Sequence, residues 1–368
     1  MKMIFDPLTI KNLVLSSRLV RSATAERLAM ENPEDGEQMG ATYAALARGG
    51  VGLIITGHIA VHPAGRLDPL MAGLYSDQQV EAWRQAVALT HVAGGLLVAQ
   101  LNHGGGRSRP VGDAPVCVSC LPDRPHDPMQ GAPLDFAMIE MLISAFAQTA
   151  RLAQDVGMNG VQIHAAHGYL GSQFLSPATN QRSDEWGGSI ENRSRFLRRV
   201  VQSVRAAVGA NFPVGMKLGA CDDDPAGLRI EDALRAVTWF QEDGLDFIEI
   251  SGAFRSDICR RKVKPGVSEG YYVPLARQFK ETLSIPVIAV GGFRSLGMMN
   301  EAIGSGACDA ISMARPLIRR PDILNVLKQG GASDCLSCNL CLLHNEPRTQ
   351  CHAVNRISGK SRVKGGAK

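Results

Sequence analysis

VQIHAAHGYLGSQFLSPATNQRSDEWGGSIENRSRF, residues 161–196, decides how the chain is read. It opens with a short apolar run, Val161 to Ala165, that reads as a buried strand. His164, His167 and Tyr169 follow where that strand ends, and a loop rich in Gly, Ser, Asp and Asn comes next. A helix is predicted over Ile190–Val208. Ser189 is a suitable N-cap, Glu191 sits in the first turn, and Phe196, Leu197, Val200, Val201, Val204 and Val208 recur at helical spacing. The stretch is therefore one strand–loop–helix unit with polar residues at the strand's C-terminal end. A single histidine there reads most simply as a packed core residue. Two imidazoles and a phenol together point to chemistry: imidazole N–H groups can hold an oxyanion, and a phenol can give up a proton.

The same unit recurs in both directions. Apolar runs at Leu19–Thr24, Gly52–His58, Leu96–Asn102, Val161–Ala165, Val214–Leu218, Phe247–Ser251, Val287–Val290 and Ala310–Ala314 each lead to a helical pattern. The runs are short and apolar throughout, as in strands buried on both faces. Eight such units over roughly 300 residues fit a (β/α)8 TIM barrel of the α/β class. A doubly wound open sheet fits less well, because no GxGxxG follows the first strand and polar residues gather after many strands. Phe5–Ser17 reads as an N-terminal hairpin closing the bottom of the barrel. Residues 104–135 form a long loop, and the end of the chain reads as a disordered basic tail. Residues 1–330 are expected to be the barrel, and 331–368 a cysteine-rich extension with that tail.

Composition narrows the function classes. A hydrophobic share of 45%, a charged share of 20% and a net charge of +4 are ordinary for a globular enzyme. They indicate no nucleic-acid partner. No apolar run is read as a membrane span and the N-terminus carries no signal-peptide core, so a cytoplasmic protein is expected. Nine cysteines, an odd number, argue against a complete disulfide framework.

In such a barrel the strand C-termini line the site. The first strand offers Ser22, Ala23, Thr24 and Ala25, small residues that let a flat ring approach the backbone. The second offers His58, the third Gln100 and the fifth Lys217. Gly291, Gly292 and Phe293 after the seventh strand, with Ala314 and Arg315 after the eighth, make a phosphate site, where backbone N–H groups and a guanidinium fork face an anion. Lys217 has three readings: a charge beside a reduced flavin, a Schiff-base lysine, or a strand-end lysine reaching solvent.

HAAHGYL, FLSP and the spaced residues of N-x-R-x-DE-x-GGS-x-ENR-x-RF resemble the Old Yellow Enzyme family of flavin-dependent ene-reductases, and the likeness runs from Phe5 to about Asp322. It implies an FMN-binding barrel using NAD(P)H, with His164 and His167 on the substrate carbonyl and Tyr169 as proton donor. It also implies Ser22–Ala25 against the flavin ring, Gln100 on its pyrimidine edge, Lys217 near N1 and O2, and Gly291–Phe293 with Ala314 and Arg315 on the phosphate. Two departures stand out: Ala25 replaces a common Thr or Cys, and His58 replaces a small residue.

The last tenth of the chain adds Cys335-x2-Cys338-x2-Cys341 and, after nine intervening residues, Cys351. The spacing suits an iron–sulfur cluster first, with a structural zinc and four free thiols as the alternatives. CLSCNLC resembles the 4Fe-4S motif that follows the barrel in the 2,4-dienoyl-CoA reductase and trimethylamine dehydrogenase branch. Cys117 and Cys120 in the long loop read as structural, and Cys221, Cys259 and Cys308 as isolated.

The expected function is reduction of an activated C=C bond, in an enone, enal or related small molecule, by an FMN-dependent NAD(P)H oxidoreductase. The alternative is a flavin dehydrogenase of amines or cyclic substrates passing electrons through a tail cluster to a partner protein. A barrel lyase using Lys217 and a non-catalytic flavin-binding subunit are weaker readings. A homo-oligomer is expected.

Overall fold

In the computed structural model, residues 2–110, 114–121, 129, 131–252, 260, 262–342 and 348–353 are described. Eight parallel strands close into a barrel: β1 Leu19–Arg21, β2 Leu53–Ala60, β3 Leu97–Asn102, β4 Gly160–Ala165, β5 Val214–Gly219, β6 Phe247–Ser251, β7 Val287–Val290 and β8 Ala310–Met313. Each pairs with its sequence neighbours, and β8 closes on β1 through Ile311 opposite Leu19 and Met313 opposite Arg21. This is the (β/α)8 barrel expected from the alternating units.

Helices run between the strands: α1 Pro33–Arg48, α2 Asp77–Val92, α3 Phe136–Asp155, α4 Ile190–Val208, α5 Ile230–Glu242, α6 Val273–Thr282, α7 Leu296–Gly304 and α8 Ile323–Lys328. The caps follow the sequence. Asn32, Ser76, Asp135 and Ser189 each accept a main-chain N–H of the first turn that they precede. The last helical pattern, after the eighth strand, resolves into two pieces: a short helix, Arg315–Arg319, and then α8.

α3 is long and apolar enough to pass for a membrane span by length and composition. It nevertheless lies against the barrel, with Ile139, Leu142, Ile143, Phe146, Ala150 and Ala153 buried and the Phe146 ring packed edge-on against Phe196 of α4. The expected N-terminal hairpin is present as Leu8–Ile10 paired antiparallel with Leu13–Leu15. Leu8, Ile10, Leu13 and Leu15 pack with Val20, Leu53, Ile55, Val98, Phe247, Ile288 and Ala310, so the hairpin stops one end of the barrel. In the loop of 104–135 the described parts include a tight turn, Gly105–Arg107, and a short pairing of Val116 with Ala132. The end of the chain from residue 354, and Cys259, lie outside the described residues.

Candidate active site

Strand periodicity builds the site in layers. Successive residues alternate faces, so a residue two positions further along points the same way, higher in the barrel. Val20, Val98, Phe247 and Ala310 belong to the apolar plug. Two residues on, the same strands present Ser22, Gln100, Glu249 and Ser312, all buried.

These polar groups satisfy one another. Glu249, fully buried, accepts from Ser22 Oγ at 2.7 Å, Ser312 Oγ at 2.8 Å, Lys217 Nζ at 3.1 Å and Gln162 Nε2 at 3.1 Å. Gln162 Oε1 in turn accepts from Gln100 Nε2 at 2.7 Å. Lys217 Nζ also donates to Ser22 Oγ at 2.8 Å. A lysine reaching solvent is excluded by its 3% side-chain exposure. Burial works to raise the Glu249 pKa. The Lys217 charge and the hydrogen bonds from Ser22, Ser312 and Lys217 outweigh it and hold the carboxyl below its ordinary value.

One level higher are His164, two residues after Gln162, and Ser251, two after Glu249. The chain then turns sharply. His167 and Gly168 adopt left-handed φ of 61° and 75°, a strained choice for histidine. The turn is held by Arg107, whose guanidinium donates to the His167 carbonyl, and by Gln173, whose amide donates to the Gly168 carbonyl at 2.7 Å. It brings His167 back over the strand end and makes Tyr169 the cap of a short helix, Leu170–Leu175, inside what reads from sequence as loop.

The rings of His164 and His167 lie 5.1 Å apart, and those of His164 and Tyr169 also 5.1 Å. His164 Nδ1 accepts the main-chain N–H of Ala166, which leaves the proton on Nε2. His167 Nε2 and Ser251 Oγ share a hydrogen bond of 2.9 Å. Burial above all, then the charges of Lys217 and the neighbouring imidazoles, pushes both histidines well below 6.5. Both are neutral at pH 7.

A cavity opens beside this cluster. Ser22, Ala23, His167, Lys217, Ser251, Gly292, Phe293, Ala314 and Arg315 all line it, so both ends of the chain's candidate list meet at one place. Gly291 and Gly292 take φ of 140° and 74° there. A side chain on Gly292 would run into the Tyr271 ring at 2.6 Å, so only glycine lets the backbone edge this cavity. Thr24 and Ala25 do not line this cavity; both border an outer one shared with α1 and with Arg348 and Thr349, and Ala25 also borders a small one with His58. His58 stands edge-on to Tyr169 at 5.8 Å, and burial pushes it down to about 4. Gln100 is buried, is not among the residues bordering this cavity, and joins the polar layer through Gln162. Sequence reasoning missed Glu249, Gln162 and Arg107. It passed over Asn102, which follows Gln100 on the same face and is fully buried with neither amide atom partnered among the described residues.

A family model described as NADH:flavin oxidoreductase / NADH oxidase matches residues 3–334. The chain belongs to that family. Membership places it in the class of FMN-dependent NAD(P)H oxidoreductases. The chain is 33% identical to an NADPH dehydrogenase of Geobacillus sp. (strain WCH70), over 87% of this chain and 92% of that protein. It is 29% identical to an NADH oxidase of Thermoanaerobacter brockii, over 98% of this chain but only 57% of that protein. Histamine dehydrogenase from Rhizobium sp. 4-9 superposes with a TM-score of 0.81 at 27% identity, over 89% of this chain and 48% of that one. The chain thus spans about half the length of some of its relatives.

The residues present fit the FMN that this NADH:flavin oxidoreductase family implies. The cavity joins a cation near its floor, Lys217, to a second at its wall, Arg315, across small residues and a glycine edge. Arg315 is buried and donates to Asn339 Oδ1 at 2.6 Å and to the Arg260 carbonyl at 2.8 Å.

Asn339 belongs to the cysteine segment. Cys335, Cys338, Cys341 and Cys351 line one cavity, with Arg315 and Arg319. Ser337 and Asn339 take left-handed φ of 52° and 63°, which curls the segment back on itself. Arg294 Nη2 lies 3.7 Å from Cys335 Sγ, and Arg319 Nη1 3.7 Å from Cys351 Sγ. Among the described residues no group of three or more His, Cys, Asp or Glu converges as ligands of a metal ion. The other described cysteine pair, Cys117 and Cys120, has its sulfurs 3.4 Å apart beside the Gly131 carbonyl.

The buried imidazoles dictate an acid response. Burial, then His62, lowers the His103 pKa from 6.5 to about 3. Between those values the unfolded chain holds a proton that the folded one does not. The contribution is complete above pH 6.5 and is lost as pH falls toward 3. It should cost about 1.4 kcal/mol per pH unit, roughly 2 kcal/mol at pH 5. His164 and His167 act in the same direction. Denaturant titrations from pH 7 to 4 should show stability falling steeply with acid, and His103→Asn should reduce the slope by one proton.

Proposed function

We propose that the chain reduces activated C=C bonds of enones, enals and related small molecules with electrons from NAD(P)H. The observation that carries this reading is the cluster of two neutral imidazoles and a phenol beside the cavity of Lys217 and Arg315. FMN, when bound, would accept hydride from NAD(P)H and deliver it to the substrate's β-carbon. His164 Nε2–H and His167 hold the substrate carbonyl and stabilise the negative charge that gathers on its oxygen. Tyr169 O–H supplies the proton to the α-carbon. The strained turn at His167, clamped by Arg107 and Gln173, keeps these groups in place before substrate arrives. Asn102 offers a buried amide that no described residue pairs with.

For the cofactor, Lys217, Ser22 and Ala23 serve the ring, Gln100 its pyrimidine edge, and Gly291, Gly292, Phe293, Ala314 and Arg315 the phosphate. Thr24, Ala25 and His58 belong to the surrounding shell. Denaturation should release a chromophore with the mass of FMN, and the holoprotein should oxidise NAD(P)H when given an enone. FAD in its place, or no flavin after reconstitution, overturns the assignment. Arg315→Ala should weaken FMN retention by about 1.5–3 kcal/mol, a charge-assisted contact's worth, and leave turnover per bound flavin near wild type. Equal affinity in the variant removes Arg315 from the phosphate site.

A second reading rests on the tail. Cys335, Cys338, Cys341 and Cys351 would hold a 4Fe-4S cluster, which supplies one-electron transfer. They ring a cavity instead of meeting at a point, which suits a cluster better than a zinc ion. Arg315 is a wall of both cavities. With the likeness to histamine dehydrogenase, this favours amine oxidation with electrons leaving to a partner protein. Bleaching of the flavin by an amine without NAD(P)H would select it. In either reading, residues 1–330 form the catalytic unit and 331–368 an extension, of which Ser333 N–H donates to the Arg294 carbonyl and Thr349 Oγ1 to the Ala25 carbonyl.

A further inference from the structure

We propose that Glu249 is a positioning residue for the cofactor, setting the net charge beneath the cavity and the direction in which Gln100 presents its amide. The inference rests on the FMN reading above.

The logic begins with what a carboxylate can do. An ionised Glu249 only accepts hydrogen bonds. Its partner atom on Gln162 must therefore be the Nε2 donor, found at 3.1 Å. That assignment turns Gln162 Oε1 toward Gln100, and Gln100 must donate through Nε2, found at 2.7 Å. Gln100 is left with its Oε1 acceptor and one further Nε2–H, and the orientation of that amide toward a ligand is set. An acidic residue two side chains away thus fixes the polarity of an amide that could otherwise face either way.

Charge follows the same route. Lys217 lines the cavity as a cation, and Glu249 lies directly against it, so the pair is neutral. Ser22 closes the triangle, accepting from Lys217 and donating to Glu249. Hydride transfer converts NAD(P)H to NAD(P)+ and brings two electrons and one proton to the flavin, leaving one negative charge to be held at its pyrimidine side. Lys217 favours that charge and Glu249 opposes it, and because both are buried neither is well screened. The carboxylate therefore holds the potential of the bound flavin below what Lys217 alone would set.

Glu249→Gln keeps the shape and removes the charge. Its flavin should be easier to reduce, with the reduced-to-oxidised ratio at fixed potential raised at least tenfold, about 30 mV for a two-electron couple. Ser312→Ala keeps the carboxylate and strips a hydrogen bond of 2.8 Å from it. Its potential should move the other way, and this arm decides the matter if Glu249→Gln fails to fold or to retain FMN. A purely structural Glu249 would lower melting temperature without moving the potential. FMN bound at wild-type occupancy with an unchanged potential in the measurable variants overturns the inference. A wild-type chain that takes up no FMN overturns both the inference and the reading beneath it.

Discussion

Tyr169→Phe should leave flavin reduction by NAD(P)H near the wild-type rate and slow flavin reoxidation by an enone roughly 10²–10⁴-fold, the usual range for one general acid. The asymmetry follows from where the phenol stands. Its ring meets His164 and His58 edge-on, at 5.1 and 5.8 Å, and neither contact needs the hydroxyl. The variant should keep these ring contacts and lose the proton donor. Nitroalkenes should suffer less, because their carbanion survives until water protonates it. His164→Ala should behave differently. It removes a donor to the developing oxyanion, worth about 2.7–4 kcal/mol in comparable sites, and should weaken phenol-like ligands as well as enones. Stopped-flow flavin absorbance in each half-reaction separates the two. An untouched enone reoxidation in Tyr169→Phe would remove the residue as the acid and favour amine oxidation, in which no proton goes to carbon.

The parts of this arrangement that sequence reveals are those encoded locally. A strand ending in His164, a helix capped by Ser189 and a Gly-Gly pair each declare themselves within a few residues, and eight repetitions of that pattern imply closure into a barrel. What joins strands across the barrel is invisible to such reading. Glu249 sits in FIEIS, an apolar strand where a lone acid reads as an anomaly. Its partners Ser22, Gln162, Lys217 and Ser312 come from four other strands. Lys217 stayed ambiguous for the same reason, since its neighbour in space is 32 residues away in sequence. The period-two spacing from Phe247 to Glu249 to Ser251 was the available signal. The helix Leu170–Leu175 was hidden because six residues, two of them Gly171 and Ser172, are too few to show a helical period. Thr24 and Ala25 follow Ser22 and Ala23 directly, yet they line an outer cavity beside α1 and, for Ala25, a small one shared with His58, a divergence that local sequence does not announce.

Cys338→Ser should abolish iron and sulfide binding in anaerobic, iron-replete preparations while FMN occupancy stays near wild type. The prediction treats Cys335, Cys338, Cys341 and Cys351 as one ligand set, because all four border one cavity although Cys351 is distant in sequence. Loss of one thiolate from a four-thiolate set leaves an iron open to water, and such clusters fall apart. The surroundings favour an anionic group there. Arg294 and Arg319 approach the cysteine sulfurs, and Arg294 is anchored by Ser337 Oγ at 2.6 Å and the Cys335 carbonyl at 3.3 Å. Two guanidinium groups beside neutral thiols would gain little; beside a cluster with net negative charge they make charge-assisted contacts. FMN should survive the substitution because Cys338 does not line the flavin cavity. The shared wall, Arg315, depends on Asn339, whose oxygen it holds at 2.6 Å, and Asn339→Ala should therefore loosen FMN where Cys338→Ser does not. Iron and sulfide assays with flavin quantitation read both outcomes. Zinc in place of iron would keep the ligand set but exclude electron transfer, since zinc has no redox chemistry. Four thiols that react with an alkylating reagent in the native, iron-replete protein would show that the set binds no metal, and would remove the route by which amine-derived electrons leave.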